Sequence, residues 1–120
     1  MTEESRLGDI LRRYWDSLPK RVKQLAAEEQ ELHLAFLALD ESLRPYATPS
    51  VIREEVDAGQ SRRILVLMVS SSVARMALKS SARELRARLE RDYGVEVDEV
   101  EVHLRPEEEV KRIRKRLMGE

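Results

Sequence analysis

Apolar residues at helical spacing predict that the N-terminal third of the chain is helical. A first amphipathic helix is expected over about residues 5–18 and ends before Pro19, because proline lacks the amide that continues the hydrogen-bond ladder. The apolar spacing resumes at Lys20 and is interrupted by a polar run over residues 28–31. It predicts either one long helix or a short helix followed by a main helix over about residues 29–43.

The middle of the chain has the pattern of a β-hairpin. Residues 51–56 show the mixed alternation of a strand, and residues 64–69 form a continuous apolar run. Such a run is typical of a strand that is covered on both faces or central in its sheet. Residues 57–61 are the predicted turn, in which Gly59 can take a positive φ.

A helix, a strand and a last helix are predicted to follow the hairpin. The serine cluster at residues 70–72 offers hydroxyl groups that can cap a helix running to about Asp92, and Gly94 is a typical helix stop. Alternating apolar and polar residues over 99–104 indicate a half-buried strand. Pro106 begins a helix with glutamates in its first turn and basic residues toward its end, which complements the helix dipole.

This order of elements predicts an α+β fold with a three-stranded sheet. Two hairpin strands and a third strand that returns after a crossover helix place the helices mainly on one face, in a KH-like architecture with the order α(α)ββαβα. A chain of 120 residues fits a single core. We divide it into a domain with N-terminal helices over residues 1–105 and a C-terminal amphipathic helix over residues 106–120.

Composition narrows the class of protein. The absence of cysteine excludes disulfides, cysteine zinc sites and a thiol nucleophile. No apolar run reaches the ~20 residues of a membrane span, and no signal-peptide core is visible, so we expect a cytoplasmic protein without a membrane role. The formal net charge of −1 argues against a general polycation. A nucleic-acid role therefore requires that the charges segregate by face.

The clearest candidate chemistry is a basic stripe on the helix predicted over residues 72–92. Its cations fall on successive turns beside the apolar face, at a spacing comparable with that of nucleic-acid phosphates. The basic stripe consists of Arg75, Lys79, Arg83 and Arg86, and Arg62 and Arg63 in the hairpin can extend it. The alternative is an ordinary solvated helix face, because Glu84, Glu90 and Asp92 balance part of the charge.

Binding by this stripe is expected to depend on charge and shape, in contact with phosphates and independent of base sequence. The four glycines are isolated, so no Gly-x-x-Gly loop can clamp a nucleic-acid backbone, and few aromatic residues are free to stack on bases.

The last helix carries a narrow apolar stripe formed by Val110, Ile113 and Leu117. This stripe can dock in a groove of a partner protein, lie against the chain's own sheet, or pair with the helix over residues 5–18 of a second copy. Docking within the chain is the commoner outcome.

No arrangement typical of an enzyme is evident. His33 and His103 lack a second histidine or a carboxylate at metal-binding spacing and are expected to be surface residues. The serines at 70–72 have no glycine-framed elbow, and no phosphate-binding glycine loop is present. We predict a non-enzymatic protein without a cofactor or metal site.

Two segments resemble the DciA family, bacterial proteins implicated in recruiting or loading the replicative helicase, whose core domain is KH-like. The residues that fit the family pattern are Phe36, Glu41, Leu43, Tyr46 and Pro49 in the segment FLALDESLRPYATP, and Val69, Ser71, Ser72, Leu78 and Lys79 in the segment LVLMVSSSVARMAL. Gly94 and residues 97–104 fit as well. Asp40, Ala47 and Ala74 replace a glycine, a threonine and a tryptophan of the pattern.

The resemblance implies a non-enzymatic adaptor that binds single-stranded or duplex DNA and the hexameric replicative helicase. Pairing of the last helix with a second copy leaves a homodimer open. Two alternatives stay open. One is a protein-interaction or dimerisation module without a nucleic-acid role, and the other is a KH-like RNA-binding protein.

Overall fold

The computed structural model describes residues 20–118, with side chains from residue 27 onward. The helix predicted over residues 5–18 and its end at Pro19 lie outside this range. The elements are α1 (Lys20–Ala38), β1 (Ala47–Asp57), β2 (Gln60–Val69), α2 (Ser72–Ser80), α3 (Ala82–Tyr93), β3 (Glu99–Leu104) and α4 (Glu107–Met118). The predicted α+β class is confirmed.

The three strands form one mixed sheet in the order β1-β2-β3. β1 and β2 pair antiparallel, with Ala47 opposite Val69 and a register shift at Ser50. β3 runs parallel to β2, with Ile64 opposite Glu99, after a crossover through α2 and α3. β2, which contains the continuous apolar run, is therefore the central strand, as that pattern predicts.

A two-residue loop closes the hairpin between Asp57 and Gln60. Ala58 has a φ of 50° and Gly59 a φ of 80°. Positive φ at both central residues is the geometry of a type I′ turn, whose twist matches that of the flanking strands. The predicted role of Gly59 is confirmed, and Ala58 occupies a backbone region that side chains with a Cβ rarely adopt.

α1 is one continuous helix from Lys20, the first of the two predicted alternatives, but its predicted end near residue 43 is wrong. The helix stops at Ala38 because Asp40 forms a local turn. Its Oδ1 accepts hydrogen bonds from the Ser42 amide at 3.0 Å and the Ser42 hydroxyl at 2.8 Å, and its carbonyl accepts one from the Leu43 amide at 2.9 Å. A short polar side chain thus replaces the helical ladder.

Two guanidinium groups satisfy the carbonyls at the end of α1, which have no partner within the helix. Arg44 donates to the carbonyls of Leu37 at 2.9 Å and Leu39 at 3.2 Å. Arg88 of α3 donates to the carbonyl of Ala38 at 2.7 Å. The end of α1 is therefore tied to the turn that follows it and to α3.

The core lies between one sheet face and the helices. Its buried residues come from α1, all three strands, α2, α3 and the loop before β3, and include Phe36, Leu39, Leu65, Leu67, Leu78, Leu85 and Leu89. The register places long charged residues on the other sheet face. We call this the charged face; it comprises Arg53, Glu55, Arg62, Glu99, Glu101 and His103.

α4 packs against its own chain. Val110 is fully buried, Ile113 is half-buried, and Leu117 lies against the core cluster. Arg114 donates a hydrogen bond to the carbonyl of Arg44. The apolar stripe of α4 is thus taken up within the domain, and a partner would have to displace the helix to contact Val110.

Helices long and apolar enough to cross a bilayer do not occur within the described range.

Candidate nucleic-acid interface

A serine cap fixes where α2 begins and so which way its cations face. Ser71 Oγ accepts a hydrogen bond from the amide of Ala74 at 3.3 Å, as the serine cluster predicts. Ala74 and Leu78 are buried against the core. Lys79 is consequently held on a flank of the helix that faces water.

The prediction of a single helix over residues 72–92 is wrong, because the helix is interrupted at Ser81 and forms α2 and α3. Ser81 has φ −103° and ψ 10°. Its hydroxyl donates to the carbonyl of Ala77 at 2.8 Å, and its amide donates to the same oxygen at 3.0 Å. Serine side chains compete in this way with the regular backbone ladder. The predicted basic stripe is therefore divided between two helices.

The end of α3 follows the prediction. Gly94 takes the left-handed conformation, with φ 68°, and its amide bonds to the carbonyl of Glu90 at 3.1 Å. The chain then turns back through buried Val95 and Val97 to β3. This return brings the acidic residues before β3 close to the α2–α3 junction.

Three members of the basic stripe line one shallow depression despite the break. Lys79 of α2 and Arg83 and Arg86 of α3 border a space of about 520 Å³. We call these three residues the cation cluster. The carboxylate-bearing residues Asp98 and Glu99 line the same depression. Cations from the helices and acids from the start of β3 therefore share one concave surface.

The cation cluster is largely free of intramolecular partners. Lys79, Arg83 and Arg86 are exposed, and none forms an ion pair with a carboxylate of the described residues. Arg86 donates through Nε to the carbonyl of Val97 at 3.2 Å, which orients its guanidinium at the depression. These side chains can exchange water for an anionic ligand without breaking an ion pair.

Arg75, the fourth residue of the stripe, is placed differently. It is half-buried, and its Nε is inaccessible to water and has no hydrogen-bond partner among the described residues. Arg75 is also absent from the lining of the depression. It extends the cation cluster by one turn along α2 rather than belonging to its centre.

Arg62 and Arg63 are neutralised within the molecule. Arg62 pairs with Glu55 at 3.2 Å and with Glu99 at 3.5 Å. Arg63 pairs with Glu31 of α1 at 2.7 Å and donates to the carbonyl of Glu96, also at 2.7 Å. Both guanidinium groups thus have carboxylate partners before any ligand arrives, and the extension predicted for the hairpin is not available as free charge.

On the charged face, too, basic side chains are paired with carboxylates. Glu101 bonds to Arg53 at 2.8 Å and lies 3.3 Å from Nε2 of His103. The hydrogen bonds from His103 and Arg53 hold the pKa of the Glu101 carboxyl below its usual value, since both favour the ionised form. The arginines of the sheet therefore contribute ion pairs rather than a free positive surface.

Residues 27–118 contain no group of three or more His, Asp or Glu side chains arranged to hold a metal ion. His33 is half-buried in α1, and the imidazole of His103 contacts the carboxylate of Glu101. The expectation of a protein without enzymatic activity stays a prediction.

Asp98 and Glu99 line the depression and were not predicted from the sequence. Asp98 accepts a hydrogen bond from the Arg63 amide at 2.7 Å, and Glu99 stands opposite Ile64 in the parallel register. The acidic residues around the start of β3 are visible in the sequence, but their position beside the cations is not. Only the parallel pairing of β2 with β3 and the packing of α2 on β3 bring them to the cations.

No known family model matches this chain, and no curated protein matches it. The DciA likeness therefore rests on the residues that carry it. Phe36, Pro49 and Leu78 are buried, and Ser71 caps α2. These are packing and turn positions, which bear on the fold more than on chemistry.

Proposed function

We propose that this protein is a non-enzymatic DNA-binding adaptor of the DciA type, with a KH-like domain, that assists recruitment or loading of the replicative helicase in the bacterial cytoplasm. The DciA likeness of residues 36–49 and 65–78 supports the helicase role. The cation cluster supports the DNA-binding role. Neither role needs a bound cofactor or metal.

The observation that carries the proposal is the contrast between paired and unpaired cations. Arg53, Arg62 and Arg63 are held by carboxylates. Lys79 and Arg83 are exposed at a common depression without such partners among the described residues. Cations without partners can replace the counterions of a nucleic-acid backbone, which is the main source of affinity in binding that is independent of sequence.

The acids in the depression limit the path of the ligand. Asp98 and Glu99 repel phosphates, so a nucleic-acid backbone is expected to follow the α2–α3 flank and not to cross toward β3. The backbone then contacts Lys79 near the end of α2 and Arg83 and Arg86 near the start of α3, which line the same depression. Such contacts position the ligand and carry no base specificity.

A titration of labelled single-stranded and duplex DNA of equal length, at rising salt, tests the DNA-binding role. The variant combines Lys79→Glu with Arg83→Glu. Its matched control combines Lys115→Glu with Arg112→Glu, two exposed residues of α4, and has the same residue types and the same change in net charge. We expect a loss of about tenfold or more in affinity for the first variant and little change for the control. Equal losses, or no loss in either, would contradict the proposal.

The helicase role needs a separate measurement. Gel filtration of this protein with a purified hexameric replicative helicase, in the absence of DNA, is expected to give a joint peak. Separate elution at concentrations well above those in a cell would contradict helicase recruitment while leaving DNA binding intact.

A protein-interaction module without a nucleic-acid role is the second candidate. Val73 and Met76 of α2 are 77% and 71% exposed, one turn apart on the outward side of the helix. Contiguous exposed apolar surface is typical of contacts with other proteins, and these two residues would form its centre. Under this alternative, changing both residues to serine abolishes partner capture, whereas Lys79→Glu with Arg83→Glu does not. Competition between RNA and DNA of equal length tests the RNA-binding alternative.

A further inference from the structure

A second concave surface lies on the opposite flank of α2 and α3 from the cation cluster. It is bounded by the end of α1, the turn over residues 40–43 and the α2–α3 junction, and has a volume of about 290 Å³. Its floor is apolar and is formed by Leu39, Leu43, Leu78 and Leu85. We call it the junction groove. Its volume suits one or two aliphatic side chains rather than a large ligand.

The rim of the junction groove is acidic. Asp40 and Glu84 stand at its edge. Asp40 is exposed and forms no ion pair with the described residues, and hydrogen bonds from the Ser42 amide and hydroxyl lower its pKa. Arg88 is the one cation of residues 27–118 that lines the groove, and its guanidinium is engaged by the Ala38 carbonyl at 2.7 Å and by Glu84 at 3.5 Å.

The protein's own side chains show which donor this region accepts. Arg44 and Arg88 both place guanidinium groups on the last carbonyls of α1. The carbonyl end of a helix has a partial negative charge, which adds to the attraction for cations. The carbonyls are already occupied by Arg44 and Arg88, but the helix dipole and the rim carboxylates favour the same kind of group in a ligand.

We infer that the junction groove binds a segment of a partner protein in which an aliphatic side chain is flanked by arginines. The aliphatic side chain enters the space above Leu39 and Leu78, and the flanking guanidinium groups pair with Asp40 and Glu84. Glu84 can accept a second cation because its carboxylate is 72% exposed and contacts Arg88 through Oε1 only, at 3.5 Å. Because the groove and the cation cluster lie on opposite flanks of α2 and α3, a protein segment and a nucleic acid can be bound together. This inference does not depend on the proposed DNA binding.

A fluorescent synthetic peptide with two adjacent leucines between arginine pairs is the probe, and anisotropy of the peptide with the full chain is the readout. A second peptide has glutamates in place of the arginines. We expect binding of the first peptide only. Glu84→Lys is expected to weaken it by about fivefold, since one attraction is replaced by a repulsion. The matched control is Glu90→Lys, an exposed residue of the same helix outside the groove lining, which should leave affinity unchanged.

A groove-filling variant separates specific docking from general attraction between an acidic surface and a basic peptide. Ala77, half-buried in the groove lining, is changed to leucine, and the thermal midpoint of this variant is compared with that of the wild-type protein. A folded Ala77→Leu protein should no longer bind the peptide. Equal binding of both peptides, equal losses for Glu84→Lys and Glu90→Lys, or full binding by folded Ala77→Leu would each overturn the inference.

Discussion

Arginines of the sheet and cations of the α2–α3 flank are chemically alike and differ in their neighbours. In the sheet, cross-strand register places Arg62 opposite Glu55, and opposite charges at such positions stabilise the pairing. On the flank, Lys79 has the like charge of Arg75 four residues away within α2, and Arg83 follows beyond the break at Ser81. Like charges at this spacing destabilise a helix slightly. The sheet therefore uses its cations for stability, whereas Lys79 and Arg83 on the flank form no ion pair with a carboxylate of the described residues.

In a protein of nearly neutral charge, the composition alone does not show where an anionic ligand binds. The number of basic residues does not separate the two regions, because both are rich in arginine. The two regions are separated by whether each basic side chain has a carboxylate partner. A cation already bound to a carboxylate must lose that ion pair to bind a phosphate, and an unpaired cation loses only water and counterions.

The largest expected effect on stability comes from Arg63→Ala. This change removes the 2.7 Å ion pair to Glu31 of α1 and the 2.7 Å hydrogen bond to the Glu96 carbonyl. Half-buried hydrogen bonds of charged groups contribute about 2 kcal/mol to the free energy of unfolding. Arg83→Ala, on the flank, should change it by less than about 0.5 kcal/mol. Urea unfolding of both variants measures the difference.

The comparison fails if the two variants lose equal stability. A large loss of stability for Arg83→Ala would mean that the flank cations hold the fold together. They would then not be free to bind a ligand.

Glu101→Gln should have a smaller effect, and one that depends on pH. Hydrogen bonds from His103 and Arg53 lower the pKa of the folded-state carboxyl. Its stabilising contribution is therefore complete above the unfolded-state pKa and is lost as pH falls through the folded-state value. The variant should be less stable than the wild-type protein at about pH 7, and the gap should narrow toward about pH 3. Thermal midpoints across this range provide the measurement, and a gap that stays constant or widens in acid would contradict the pairing.

The smallest effect is a gain in stability at the hairpin tip, outside both regions. Ala58 has a φ of 50° in the type I′ turn, where asparagine and glycine are favoured. Ala58→Asn should raise the free energy of unfolding by about 0.5–1 kcal/mol, whereas Gly59→Ala, at φ 80°, should lower it by a similar amount. Denaturant titration measures both. A loss of stability for Ala58→Asn would show that the turn type is wrong, and altered DNA binding would show that the tip belongs to the interface.

Local signals were sufficient to predict much of the fold. The positive φ of Gly59, the serine cap at Ser71 and the left-handed stop at Gly94 each depend on the residue and its immediate neighbours. The two errors in helix length have a common cause. Asp40 and Ser81 form side-chain hydrogen bonds that end a helix, and the apolar spacing continues past both residues.

The candidate site was predictable only in part. Helical spacing placed the cations on one flank, and Lys79, Arg83 and Arg86 do share a surface. Spacing within one helix cannot reveal partners from other elements. Glu31 of α1 neutralises Arg63, and Asp98 and Glu99 reach the depression through the β2–β3 register. Such long-range pairings decide which charges remain free.

The salt dependence of DNA affinity distinguishes the flank cations from those of the sheet, since it counts the phosphates that the protein neutralises. The slope of log affinity against log salt is compared for the wild-type protein, Lys79→Ala with Arg83→Ala, and Arg53→Ala with Arg62→Ala. Each lost phosphate contact reduces the slope by about 0.7–0.9. We predict a reduction of about 1.5 for the flank pair and no change for the sheet pair. An unchanged slope for the flank pair, or an equal reduction for the sheet pair, would contradict the prediction that the flank cations contact DNA phosphates and the sheet arginines do not.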